Sequence, residues 1–86
     1  MDISWVVGTL SGSGEAGTVD GAAEVMTAGI REAYESQGHG TTTIAHAMLT
    51  VVSPLRAQLV SEGRTAVEKG EEWSGSLGDV TATLRP

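Results

Sequence analysis

Few side chains in this sequence could do chemistry, and their spacing limits what that chemistry could be. The only histidines are His39 and His46, and no Asp, Glu or Cys stands three or four residues from His46. A metal centre needs three or four suitable ligands, so the pair reads as a loop histidine and a helix-surface histidine. Glu68, Lys69, Glu71 and Glu72 bring carboxylates that could act as general acid and base. Such groups need a cleft that perturbs them, whereas these flank Ala66 and Gly70 and read as the wet side of a helix. Ser11, Ser13 and Thr41 to Thr43 supply hydroxyls without a neighbouring base in a nucleophilic order. The glycine-rich Ser11-Gly12-Ser13-Gly14 lacks the Lys-Ser/Thr pair of a phosphate-cradling loop. The expectation is no catalytic, cofactor-binding or metal-ligating residue, and no enzyme.

The elements that would position these residues read as helices. Ile44, Met48, Val51, Leu55, Leu59, Gly63, Ala66, Gly70, Trp73, Leu77, Val80 and Leu84 follow at steps of three or four, which places them on one helical stripe. Pro54 would cost about 3 kcal/mol inside a helix, so a kink or break is expected there, with Ser53 as N-cap and Pro54 in the first turn. An earlier helix is expected from about Glu15 to Gln37, where Val19, Ala23, Met26, Ile30 and Ala33 form a seam. Gly38-His39-Gly40 ends it, and the threonines that follow are N-cap candidates for the next. Ile3, Trp5, Val6, Val7 and Leu10 form an apolar arm, which a Gly/Ser linker lets fold back onto the helices.

Length and charge narrow the function classes. A chain of 86 residues with 40% hydrophobic content and no cysteine forms one small domain without disulfides, for which self-association is an obvious source of added stability. A net charge of -6 with five basic residues argues against nucleic acid and anionic membranes, both of which need Lys and Arg. No apolar run is long enough to span a bilayer. The start, Met1-Asp2-Ile3-Ser4-Trp5, lacks the basic region and apolar core of a cleaved signal peptide.

The layout resembles the WXG-type small helical hairpins of actinobacterial type VII secretion. The residues that carry the resemblance are the arm Ile3 to Leu10, the alanine-rich segment Ala16 to Tyr34, the reversal Gly38 to Gly40, the long second segment, and Trp73-Ser74-Gly75, which reads W-x-G. In that family the W-x-G lies in the turn between the helices, a place held here by Gly38-His39-Gly40. The family's Y-x-x-x-D/E export signal has no match, since Gly38 stands four residues after Tyr34. The resemblance implies a secreted element or a targeting partner of a larger effector, exported by a non-classical route. Without export, the alternative is a cytoplasmic helical adaptor, antitoxin-like or scaffold subunit.

The sequence thus predicts an all-α antiparallel hairpin with a long second helix kinked at Pro54, completed into a bundle by dimerisation. Its single domain divides into an arm and linker (1-14), a helix (15-37), a reversal (38-43) and a long or broken helix (44-84). The expected partner interface comprises Leu55, Leu59, Gly63, Ala66, Gly70, Trp73, Leu77 and Val80, with Gly63 and Gly70 allowing close approach of a second helix. The expected partner is a second copy or a similar small helical protein.

Overall fold

The expected apolar arm and the last part of the expected long helix are β-hairpins, and together they form a sheet. A computed structural model describes residues 1–86. Its strands are β1 (Asp2–Val7), β2 (Leu10–Glu15), β3 (Trp73–Leu77) and β4 (Val80–Arg85), arranged β2-β1-β4-β3 with every neighbouring pair antiparallel. Each hairpin closes through a two-residue loop, Gly8-Thr9 or Gly78-Asp79, in which the glycine alone has positive φ, 61° and 57°. Glycine at the first loop position with positive φ is what a type II′ turn requires, and this turn matches the natural twist of paired strands. Both turns lie at the same end of the sheet, where the Gly8 N–H donates to the Asp79 carbonyl at 3.0 Å.

Side chains alternate across the strands as pleating demands. Ile3, Trp5, Val7, Val80, Ala82, Leu84 and Trp73 point inward and are buried. The outward face carries hydroxyls: the register aligns Ser13, Ser4, Thr83 and Ser74 across all four strands. Helix α1 (Val19–Ser36) covers the inner face over β1 and β2, burying Val19, Ala22, Ala23, Met26, Ile30 and Tyr34. The Thr18 side chain caps its start by accepting from the Gly21 N–H at 3.0 Å, satisfying a donor that the helix leaves unpaired. Its far end is pinned to the turns, because the Gln37 amide donates to the Val7 carbonyl at 3.0 Å and the Tyr34 hydroxyl donates to Asp79 at 3.1 Å.

The second helical run covers residues 41–68 and buries Val52, Leu55, Leu59 and Gly63 between α1 and the sheet. It accommodates Pro54 without a break, through a π-helical turn at Met48–Val52 whose exit bond runs from the Ser53 N–H to the Met48 carbonyl. A π turn reorders the backbone ladder locally, and here it does so just before a residue that cannot donate. A second π turn spans Leu59–Gly63. The run ends at Glu68, where the Gly70 N–H donates to the Val67 carbonyl and the Glu71 N–H to the Ala66 carbonyl. Gly70 adopts φ 75°, the left-handed conformation in which helices commonly stop.

The all-α hairpin is therefore corrected to an α+β domain. The expected arm and linker of residues 1–14 are most of the first hairpin, and the expected helix of residues 44–84 becomes strand from Trp73 onward. Trp73-Ser74-Gly75 stands in edge strand β3 rather than at a helical turn. The stripe Trp73, Leu77, Val80, Leu84 is the inward face of a hairpin packed within its own chain.

Candidate functional site

The residues that could have done chemistry are dispersed. His39 Nε2 lies 3.2 Å from the Gln37 side-chain oxygen, and its ring meets that of Tyr34 edge-on at 5.6 Å. His46 is exposed on the second helical run, and no three His, Asp or Glu side chains gather where a metal ion could sit. Glu72 pairs with Arg85 at 2.8 Å on the surface, while Glu68, Lys69 and Glu71 surround the helix stop. Ser11 and Ser13 lie on the outer face of the sheet. Burial, reinforced by the charge of Asp79 and the hydrogen bond to it, pushes the Tyr34 hydroxyl up to about 12. That bond ties α1 to the β3–β4 turn, a structural task.

The residues expected at a partner interface fall mostly inside the domain. Leu55, Leu59, Gly63, Trp73 and Val80 are buried in the single-chain core, Ala66 and Leu77 are half-buried, and Gly70 is exposed in the turn after the helix. Their apolar surface is covered within one chain.

What the sequence left unmarked is a groove of about 300 Å³ between edge strand β2 and α1, lined by Trp5, Leu10, Gly12, Gly29, Glu32 and Ala33 among others. Its floor is the indole of Trp5, which reaches from central strand β1 outward beneath β2. Trp5 pairs with Gly12 in the ladder, and a Cβ on Gly12 would lie 2.7 Å from its Nε1. A Cβ on Gly29 of α1 would lie 2.0 Å from its Cζ2. Two glycines, one on the strand and one on the helix, thus make the slot that holds the ring. Trp5 is only 8% exposed, and no hydrogen bond within the chain engages its indole N–H, although that atom is not sealed from solvent.

The backbone at this edge is also free. Met1 and Ala16 exchange both main-chain bonds, each way at 2.9–3.0 Å, which sets the antiparallel alternation. Leu10, Gly12 and Gly14 therefore turn their amides to β1, whereas Ser11, Ser13 and Glu15 turn theirs outward. Glu32 at the groove and Glu15 at the end of β2 have no ion-pair partner, the two ion pairs of the molecule being Arg64–Asp20 and Arg85–Glu72. The opposite edge, β3, exposes the backbone of Ser74 and Ser76 by the same alternation, but no cavity opens beside Trp73.

Two other depressions complete the surface. An open cleft of about 590 Å³ separates the end of α1 from the start of the second run, between Arg31, Glu35 and His39 on one side and Ile44, Met48 and Leu49 on the other. Leu49 is 73% exposed there. A hollow of about 340 Å³ on the outer sheet face holds Asp2, Ser4, Ser13 and Glu15 together with Arg85. Comparison with protein-family models, curated proteins and solved structures finds no match. The resemblance to WXG-type hairpins and type VII secretion is withdrawn, because the fold is α+β and no family match supports that identification.

Proposed function

We propose that this chain is a non-enzymatic protein–protein interaction module. The observation that carries the reading is the pair of bare sheet edges, β2 and β3, each built on Ser-Gly-Ser and free of the Lys, Pro or bulge with which proteins usually blunt an edge. An unprotected edge is a template for another strand, and proteins use it in that way to recognise partners. The acidic balance of the chain favours protein over nucleic acid as the partner. Glu35, His39 and Thr41 share the open cleft at the end of α1, but His39 is hydrogen-bonded to Gln37 and not to either of them, so no reaction is assigned.

Selection from a displayed library of unstructured peptides, with the intact chain as bait, tests this reading. Recurrent enriched sequences that bind the purified chain reversibly at micromolar concentration are the expected result. A library that enriches nothing over an unrelated bait would overturn the reading, as would turnover of a bound substrate by the chain.

A further inference from the structure

We infer that the β2 edge, with the groove beneath α1, receives an extended, basic peptide segment of another protein by strand addition. The inference rests on the interaction-module reading and assigns it a surface and an occupant. Main-chain pairing comes first: the outward amides and carbonyls of Ser11, Ser13 and Glu15 offer a ladder, and the small side chains of Ser11, Gly12 and Ser13 leave it unobstructed. Strand addition draws affinity from such a ladder and specificity from pockets that take alternate side chains.

The groove is that pocket. A residue added opposite Gly12 projects to the inner side of the sheet, over the Trp5 indole and toward Glu32. Trp5 is more than nine-tenths buried, but its N–H has no partner within the chain and keeps access to solvent, so an acceptor on the occupant can reach it. The charge of the occupant follows from Glu32, which lines the groove without an ion pair, in a chain of net charge -6. A Lys or Arg at the pocket position lays its alkyl stem across Trp5, Leu10 and Ala33 and places its cation at Glu32. A second copy of this acidic chain would instead bring carboxylate toward carboxylate.

The test uses the full chain and a nine-residue probe alternating lysine with threonine and valine. Proton–nitrogen correlation spectra are expected to show saturable shifts of the Trp5 indole N–H and of the Ser11 and Ser13 amides. Glu32→Lys should weaken binding about tenfold by reversing the groove charge, and a probe with glutamate for lysine should not bind. N-methylation of alternate probe amides, which removes ladder donors without altering the protein, should abolish binding. The inference is overturned if the N-methylated probe binds as well as its parent. It is overturned equally if the shifts fall instead on Ser74 and Ser76 or around Met48 and Leu49; in those cases the interaction-module reading survives. A chain that dimerises through β2 by itself, seen as dilution-dependent Ser11 and Ser13 shifts, overturns it in favour of a second copy. Probes that leave every resonance unmoved, together with an unenriched library, remove both readings.

Discussion

The two hairpins use the same parts and arrive at different surfaces. Each edge strand contains Ser-Gly-Ser, and each glycine lies against a tryptophan ring: Gly12 against Trp5 and Gly75 against Trp73. Trp5, however, stands on central strand β1 and reaches outward, so that its ring is clasped between Gly12 and Gly29 of α1 and floors an open groove. Trp73 stands on edge strand β3 itself and folds back over Gly75 toward Leu55 and Gly63, which closes that side. One strand position therefore separates a wall from a recess, and composition alone does not determine whether an edge can bind.

The comparison breaks most readily at its glycines. Gly29→Ala would drive a methyl into the rigid ring of Trp5, and we expect a loss of about 3 kcal/mol in denaturant unfolding, the upper end of overpacking costs. Gly75→Ala meets Trp73 at 2.6 Å and Leu55 at 3.2 Å, but Trp73 stands on the same edge strand and is not held from a second side by a helix glycine, so the change should cost about 1 kcal/mol. If the two losses were equal or reversed, the contrast between a ring clasped by strand and helix glycines and one folded back over its own strand would fail.

The Tyr34–Asp79 bond sharpens the comparison, because it joins α1 of the first half to the turn of the second. Tyr34→Phe is expected to cost about 1 kcal/mol, the usual worth of such a bond. The pH dependence follows from the raised hydroxyl. A tyrosine that ionises at about 12 when folded, against an ordinary 10.0, holds its proton longer in the native state. Its contribution is complete below pH 10 and is lost as pH rises toward 12. Chemical denaturation across that window should show the decline in the parent and a flatter profile in Tyr34→Phe.

Smaller effects should appear on the second helical run. At Gly63 an added Cβ finds Leu84, Trp73 and Leu59 at 3.4 to 3.6 Å, ordinary contact distances. Gly63→Ala is therefore expected to stabilise the chain by up to about 1 kcal/mol through helix propensity; a loss in thermal unfolding would show the second half to be as tightly clasped as the first. Last, Arg64→Gln removes the exposed pair with Asp20 and should change stability by less than about 0.5 kcal/mol, an effect that added salt would erase.

The same comparison explains what the sequence made legible. The seam of α1 stands out because Val19, Ala23, Met26, Ile30 and Ala33 recur with helical period; all but the half-buried Ala33 are buried, alongside Ala22 and Tyr34. The second hairpin was hidden by aliasing. A step of four is both one helical turn and two strand periods, so Trp73 to Leu77 and Val80 to Leu84 satisfy either reading. The step of three between Leu77 and Val80 is the two-residue turn Gly78-Asp79, which looks like helical phase when the loop is ignored. Gly-Asp between alternating residues was the available signal, as was Gly8-Thr9 in the first hairpin. The groove was less accessible, since it depends on Gly29 meeting Trp5 across 24 positions of sequence, and no local pattern encodes that contact.

The central ladder also has a kinetic meaning. β1 pairs with β4 from Asp2↔Arg85 to Val7↔Val80, so the strands in the middle of the sheet are those farthest apart along the chain. Each hairpin and each helix forms from neighbours, whereas this ladder must first close a loop spanning almost every residue, a step whose entropy must be met before its contacts reward it. Loop-closure entropy therefore favours the hairpins and helices forming before this seam. Until that seam closes, the backbone amides and carbonyls of β1 and β4 on that side are unpaired, and the most hydrophobic strands of the molecule are its temporary edges.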